Sequence, residues 1–227
     1  MIIDKNKPLP EHTKLDYDEC YAKILLENVF LENIELCNSD KPDLICKELS
    51  LGIEVTSAIR KEDRELHKLW YMMHYLNEEQ QERNKERMLQ LGVSYTGGLQ
   101  VWGSRTFYHD KIEGTLSEDV YLAFNSKVEK LNKGNYQKLN RYDLFIDSQT
   151  FLPDKCPELL LDKFIEYNNK PKKFEFVYLT TTVDFYKFDL INKKITVISY
   201  NDFHCRQRDL ANQARLLVEE GEENDET

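Results

Sequence analysis

Glycine and proline are scarce in this sequence, with eight glycines and six prolines among 227 residues. This scarcity excludes collagen-like and low-complexity chains, which are built largely from these two residues. Aromatic residues are plentiful by contrast, since eleven Phe, thirteen Tyr and two Trp supply bulky side chains for a core. A chain of this length buries a hydrophobic core without disulfides or structural metals, so we expect one folded domain.

Cysteine is also limited, and its spacing excludes two further classes. The five cysteines are odd in number and form no C-x-x-C pair, so neither a disulfide framework nor a zinc knuckle is expected. Reduced thiols fit this cysteine pattern better than disulfides or a zinc site do. No apolar run approaches the length of a membrane span, and residues 1–14 lack an apolar signal core. We therefore expect a soluble, cytoplasmic protein.

Positive charge is in deficit, because the formal net charge is −10. The last ten residues, 218–227, carry six acidic side chains, which predicts a disordered acidic tail. The preceding residues 1–217 are interpreted as a single domain that begins with an irregular arm over residues 1–14. Because bulk charge does not indicate a nucleic-acid binder, any such binding requires a local basic face.

Hydrophobic periodicity predicts alternating helices and strands. Helices are expected from Asp16 or Asp18 to about 28, over 59–91 with a break near Asn77, and over 117–133, 157–169 and 202–218. Strands are expected over 31–37, 42–46, 51–58, 99–102, 141–147, 174–180, 184–190 and 194–200. The order predicts an α/β protein with a mixed central sheet flanked by helices.

Two carboxylates carry the candidate chemistry. Asp43 begins one predicted strand and Glu54 lies within the next, and a tight hairpin joins the two strands. Neighbouring carboxylates repel each other unless a cation lies between them. Oxygen ligands of this kind suit Mg²⁺, and the backbone carbonyl of Val55 is a candidate third ligand. An ion held there can polarise a phosphodiester and supply a hydroxide-like water.

These residues resemble the PD-(D/E)XK nuclease superfamily, which has the restriction-endonuclease-like fold. The resemblance rests on Pro42-Asp43 followed by Glu54-Val55-Thr56, after a helix and a strand. The helix around Phe124–Lys130 and the strand Tyr142–Ile146 are similar to the elements that follow the catalytic hairpin in that superfamily. It covers about residues 16–147 with gaps, so 59–91 would be a long helical insertion and the strands after 157 a C-terminal sheet extension.

The resemblance implies a Mg²⁺- or Mn²⁺-dependent endonuclease of a bacterium or phage that hydrolyses phosphodiester bonds. Asp43, Glu54 and the Val55 carbonyl would hold the metal. Nucleic acid would be the partner, DNA in preference to RNA, and a homodimer is expected because such nucleases often pair to act on two strands.

Position 56 departs from the family pattern, since Thr56 stands where a lysine is usual. That lysine helps position the attacking water and neutralise developing charge. Thr56 can hydrogen-bond a water but cannot supply charge. Some superfamily members recruit the lysine from the neighbouring helix, and Lys127 is the candidate here, with Lys130 second.

The first helix of the family often donates a further acid, and Glu19 and Glu27 are the two candidates. At 100° per residue, Glu27 lies at the rim of the apolar stripe, whereas Glu19 lies nearly opposite its centre. Periodicity therefore favours Glu27, and an acid in the first turn, such as Glu19, can simply serve the helix dipole.

Three interpretations stay open from the sequence. The first is the nuclease, and the second is a catalytically inactive descendant that binds nucleic acid or protein. The third is a structural α/β protein in which Asp43 and Glu54 are ordinary strand residues. The basic run of Lys127, Lys130, Lys133, Lys138 and Arg141 is either a solvated surface or a track for a phosphate backbone.

Overall fold

The structure is a computed structural model of the whole chain. It describes residues 9, 13–31, 33–59, 61–73, 75–92, 112–148, 152, 155–181, 184–199 and 204–223. The predicted strand over 99–102 and most of the predicted N-terminal arm lie outside these residues.

Six helices and seven strands account for most of the described chain. The helices are α1 (Tyr17–Leu25), α2 (Lys61–Met72), α3 (Glu78–Gln90), α4 (Ile112–Lys133), α5 (Cys156–Tyr167) and α6 (His204–Glu223), and a π-helical turn (Leu26–Phe30) continues α1. The strands are β1 (Cys37–Asn38), β2 (Leu44–Cys46), β3 (Leu51–Ser57), β4 (Arg141–Asp147), β5 (Phe176–Thr180), β6 (Asp184–Asp189) and β7 (Lys194–Ser199).

All seven strands form one mixed sheet in the order in which they occur along the chain. Strand β4 is central and runs parallel to both β3 and β5, while the outer pairs are antiparallel. The β3–β4 crossover holds helices α2, α3 and α4, and the β4–β5 crossover holds α5, as parallel neighbours require. The predicted mixed sheet flanked by helices is confirmed.

Both faces of the sheet are covered. On one face, the hydrophobic cluster that includes Ile53 and Phe145 packs under α1 and the π-helical turn. On the other face, the cluster that includes Leu144 and Val177 packs under α4 and α5. A fully buried aliphatic or aromatic side chain stabilises the fold by about 1.5–3 kcal/mol, so apolar burial holds α1, α4 and α5 on the sheet, whereas α6 packs on α1.

Helix starts follow local capping chemistry. The Asp16 carboxylate accepts hydrogen bonds from the backbone N–H groups of Asp18 and Glu19, at 2.8 and 3.3 Å, which confirms one of the two predicted helix starts. The predicted break near Asn77 is also confirmed, because Asn77 and Gln80 form a reciprocal capping box that opens α3.

The predicted strand over 31–37 is wrong. The π-helical turn ends at Phe30, residues 31 and 33–36 are irregular, and the strand that follows holds only Cys37 and Asn38. The reason lies in the helix. Glu27 accepts a 2.6 Å hydrogen bond from the N–H of Leu36, and Lys23 donates to the Leu36 carbonyl. These contacts satisfy the Leu36 backbone without a neighbouring strand.

The predicted disordered tail over residues 218–227 is wrong for residues 218–223, and residues 224–227 lie outside the described residues. Helix α6 continues past Val218 to Glu223. Val218 is fully buried in a cluster with Cys20 of α1 and Ala214. This apolar contact keeps the acidic segment helical where composition alone predicted disorder. Among the described helices, none is both long and apolar enough to cross a membrane.

Candidate metal centre

The β2–β3 hairpin sets the two candidate carboxylates side by side. Its register pairs Leu44 with Ile53, which leaves Asp43 opposite Glu54 at the next position outward. Directly opposed residues share one face of a sheet, at a Cβ separation of about 4.5–5.5 Å. Both carboxylates therefore lie on the α4 face, on which the neighbouring residue of β4 is Leu144.

Asp43 is held by the backbone of the facing strand. Its Oδ2 accepts a 2.6 Å hydrogen bond from the N–H of Val55. This N–H lies on the part of β3 that extends beyond the end of β2. The N–H and C=O of one strand residue point to the same neighbour. The Val55 carbonyl therefore lies on the Asp43 side of β3, and its role as a third oxygen ligand stays a prediction.

Helix α4 brings Lys127 to both carboxylates. Its Nζ lies 2.6 Å from Glu54 Oε2 and 3.3 Å from Asp43 Oδ2. The exposed fraction of the side chain rises from 3% for Glu54 to 11% for Lys127 and 23% for Asp43. The site is therefore closed to solvent at Glu54 and open to solvent at Asp43. Lys127 lies at the Asp43–Glu54 pair, where the sequence led us to expect it, and its role in catalysis stays a prediction.

The other residues of the predicted site divide by location. Thr56 follows Glu54 on the same strand face and is half-buried. Lys130, the second candidate for the recruited cation, is exposed on α4. In the rest of the basic run, Lys133 pairs with Glu129 and Arg141 pairs with Asp143, whereas Lys138 is exposed.

Gly52 is a site residue that the sequence analysis missed. It lies two residues before Glu54 on the same face, directly beneath two side chains. A Cβ at this position would lie 2.4 Å from Pro42 Cγ and 2.6 Å from Leu139 Cδ1. Glycine therefore lets the segment before Asp43 close down on β3. An isolated glycine inside a strand was the available signal for such a close approach.

Glu19, not Glu27, is the α1 acid that lies near the site. Burial raises the pKa of Glu19 to about 7, and repulsion from Asp43 is the next cause. The positive charge of Lys127 opposes this rise in the pKa.

Glu27 has a different partner set. It accepts from Lys23 Nζ at 2.9 Å and from the Leu36 N–H. The preference for Glu27 rested on 100° per residue, but the π-helical turn that contains it breaks this period. These two hydrogen bonds engage the Glu27 carboxylate and position the chain that leads into β1.

Glu54 has an unused buried oxygen. Its Oε1 has no hydrogen-bond partner among the described residues, although its Oε2 accepts from Lys127. A buried acceptor without a partner costs about 1–3 kcal/mol, so this oxygen is available to a water or a ligand. Tyr136 lies nearby: burial, and then the charge of the Glu54 carboxylate and side-chain contact with it, raises the pKa of its phenol.

These observations fit a hard divalent cation. Two carboxylates, one of them with an unused buried oxygen, and a backbone carbonyl are oxygen donors of the kind that Mg²⁺ and Mn²⁺ accept. In the part of the chain that the structure describes, no three acidic, histidine or cysteine side chains form a metal-binding group. The ligand set offered is therefore the Asp43–Glu54 pair with Val55, which leaves coordination positions for water.

Comparison with known proteins found no relative of this chain. No protein-family model matches the sequence, and no curated protein or solved structure is significantly similar to it.

Proposed function

We propose that the protein is a divalent-metal-dependent endonuclease with a restriction-endonuclease-like fold of the PD-(D/E)XK superfamily. The observation that carries the proposal is the position of Lys127, whose ammonium lies within 3.3 Å of both Asp43 and Glu54. A cation from a distant helix at two opposed strand carboxylates is the arrangement expected of a member that has moved its lysine away from position 56.

The wider architecture supports the same proposal. Helix α1 precedes the β2–β3 hairpin, and α4 leads into β4, which runs parallel to β3. Helices α2 and α3 would then be the family-specific insertion, and strands β5–β7 would extend the sheet.

Each residue has a defined part in the proposed reaction. A bound Mg²⁺ or Mn²⁺ would polarise the scissile phosphate and lower the pKa of a water. Asp43, Glu54 and the Val55 carbonyl would hold that ion. Lys127 would orient the water and neutralise charge on the phosphate, and Thr56 would hydrogen-bond the same water.

The proposed substrate is nucleic acid, DNA in preference to RNA, acted on in the cytoplasm. With a net charge of −10, the protein must attract a phosphate backbone through local cations. Lys130 and Lys138 are exposed on the segment that leads from Lys127 to β4 and are the available contacts. A homodimer would let two such sites cut two strands.

Cleavage assays test the proposal directly. The protein is incubated with DNA and with RNA, with Mg²⁺, with Mn²⁺ or with EDTA. We expect metal-dependent cleavage that Asp43→Ala or Glu54→Gln lowers by at least about 10³-fold, because both would remove a metal ligand. Glu166→Gln, on the exposed surface of α5, is the matched control and should cleave like the wild type. Cleavage that survives Asp43→Ala would refute the assignment.

A catalytically inactive protein of the same fold, which binds nucleic acid or protein, is the second candidate. It is favoured by the pairing of Lys127 with both carboxylates, since a permanently neutralised pair has no need of metal. Calorimetry separates the two candidates. An inactive site would take up neither Mg²⁺ nor Mn²⁺, and Glu54→Gln would leave partner binding intact.

A further inference from the structure

Lys127 lies where a metal ion would neutralise the carboxylate pair. Its ammonium is in hydrogen-bond contact with Glu54 Oε2 and within ion-pair distance of Asp43 Oδ2. Two carboxylates this close require a cation between them to stay ionised. In the protein without metal, Lys127 is that cation, and its side chain is almost wholly buried there.

The same contacts place Lys127 in opposition to a metal ion. A divalent ion that binds Glu54 Oε2 and Asp43 Oδ2, the oxygens that contact Lys127, must displace the ammonium. An ion that instead uses the unpartnered Glu54 Oε1 would lie within a few ångströms of a second positive charge. Like charges at that distance repel strongly where water is largely excluded. Either route weakens metal binding for as long as the ammonium keeps its position.

The attachment of Lys127 to a helix makes displacement feasible. Its four-carbon stem is flexible, and it reaches the site from α4 rather than from the strand that carries Glu54. The open side of the site is at Asp43, the most exposed of the three side chains. The ammonium can therefore withdraw toward Asp43 and solvent without any movement of the sheet.

We propose that Lys127 is a built-in competitor of the metal, which keeps the carboxylate pair assembled when metal is absent and sets a high threshold for metal binding. This inference rests on the proposed metal site. Its consequence is a protein that is folded without metal and becomes loaded only when the free concentration of the divalent ion is high.

Removing the ammonium should have two opposite effects. In EDTA, Lys127→Gln leaves two buried carboxylates without a cation, and we expect Tm to fall by roughly 6–20 °C. In calorimetric titration with Mn²⁺ alone, the same variant should bind at least about tenfold more tightly than the wild type, equivalent to about 1.4 kcal/mol. Added Mn²⁺ should also raise Tm by more in Lys127→Gln than in the wild type.

Two further variants act as controls. Lys130→Gln makes the same change at an exposed lysine three residues along α4, and it should alter neither Tm nor the Mn²⁺ affinity. Lys127→Arg retains a cation at the site, so its Mn²⁺ affinity should stay closer to the wild type than to Lys127→Gln.

The outcomes separate this inference from the proposed function. If the wild type binds Mn²⁺ and Lys127→Gln binds it equally or more weakly, competition is refuted and the metal site stands. If neither protein binds Mn²⁺, the metal site itself is refuted and the inference fails with it. If Lys127→Gln unfolds in EDTA but folds with Mn²⁺, the metal has replaced the ammonium as proposed. A variant that stays unfolded at saturating Mn²⁺ contradicts the proposal.

Discussion

Two buried acids lie on neighbouring central strands, on opposite faces of the sheet. Asp143 on β4 is fully buried, and Glu54 on β3 is nearly so. Asp143 accepts from the Arg141 guanidinium through both oxygens, from the Phe176 N–H at 3.3 Å and from the Tyr178 hydroxyl at 3.4 Å. Each of its oxygens has at least two donors.

Glu54 has a much poorer set of partners. One oxygen accepts from Lys127 and the other is unpartnered among the described residues. Because nearly all buried polar groups in proteins are satisfied, the difference separates a structural acid from a candidate functional one. The Asp143 cluster joins strands β4 and β5 permanently, whereas the Glu54 cluster retains capacity for a ligand.

The surroundings of the two acids reinforce this distinction. The Arg141 guanidinium and the Lys187 ammonium lie 4.4 and 4.6 Å from the centre of the Phe176 ring, which covers the Asp143 cluster with cation–π contacts. Glu54 is covered instead by Lys127, which a ligand can displace, and its neighbour Asp43 is partly open to solvent. We expect mutations to separate stability on one face from ligand binding on the other.

The largest effect on stability is expected for Asp143→Ala. This change leaves the Arg141 guanidinium, which is largely buried, without its carboxylate and should lower the free energy of unfolding by about 3–5 kcal/mol. Urea denaturation measures the loss, and Glu166→Ala on the exposed surface of α5 is the control. Mn²⁺ affinity of the folded fraction should be unchanged. A large loss of Mn²⁺ affinity with little loss of stability would reverse the roles given to the two faces.

An intermediate effect is expected for Gly52→Ala. The added methyl group would overlap Pro42 and Leu139 and should cost about 1–3 kcal/mol, as overpacking of a close contact does. Because the Pro42 segment carries Asp43, Mn²⁺ affinity should fall together with stability. Glu166→Ala, on the exposed surface of α5, is the control and should change neither stability nor Mn²⁺ affinity. Unchanged Mn²⁺ binding in Gly52→Ala would show that the site tolerates movement of this segment.

The smallest effect is a pH dependence that involves Glu19. Its pKa rises from 4.5 in the unfolded chain to about 7 in the folded protein, so folding favours the protonated form. The stability contributed by that proton is fully present below about pH 4.5 and is lost as the pH rises through about 7. Because Glu19 is partly exposed, we expect a loss on the order of 1 kcal/mol.

Denaturation in urea and EDTA at about pH 5 and about pH 8 measures this loss. The wild type should lose more stability between the two pH values than Glu19→Gln does. The control Glu166→Gln should follow the wild type. Parallel behaviour of Glu19→Gln and the wild type would remove Glu19 from the electrostatics of the site.

Local patterns in the sequence were sufficient for much of the fold. The predicted strands over 51–58 and 141–147 match β3 and β4, and the polar residues at Asp16 and Asn77 marked true helix starts because capping depends on neighbours in the chain. The prediction failed at residues 31–37, where two side chains of α1 and its π-helical turn bind the Leu36 backbone. It also failed at residues 218–223, where contact with α1 keeps acidic residues helical.

The candidate site shows the same division. The sequence by itself determined that Asp43 and Glu54 are opposed, since a short hairpin leaves few registers, and the resemblance to a nuclease family directed attention to Lys127. Only the tertiary structure decided that Lys127 reaches both carboxylates, that Glu19 rather than Glu27 lies near them, and that Glu54 has an unused oxygen. These facts depend on contacts between residues far apart in the chain, whose distances and burial no local periodicity encodes.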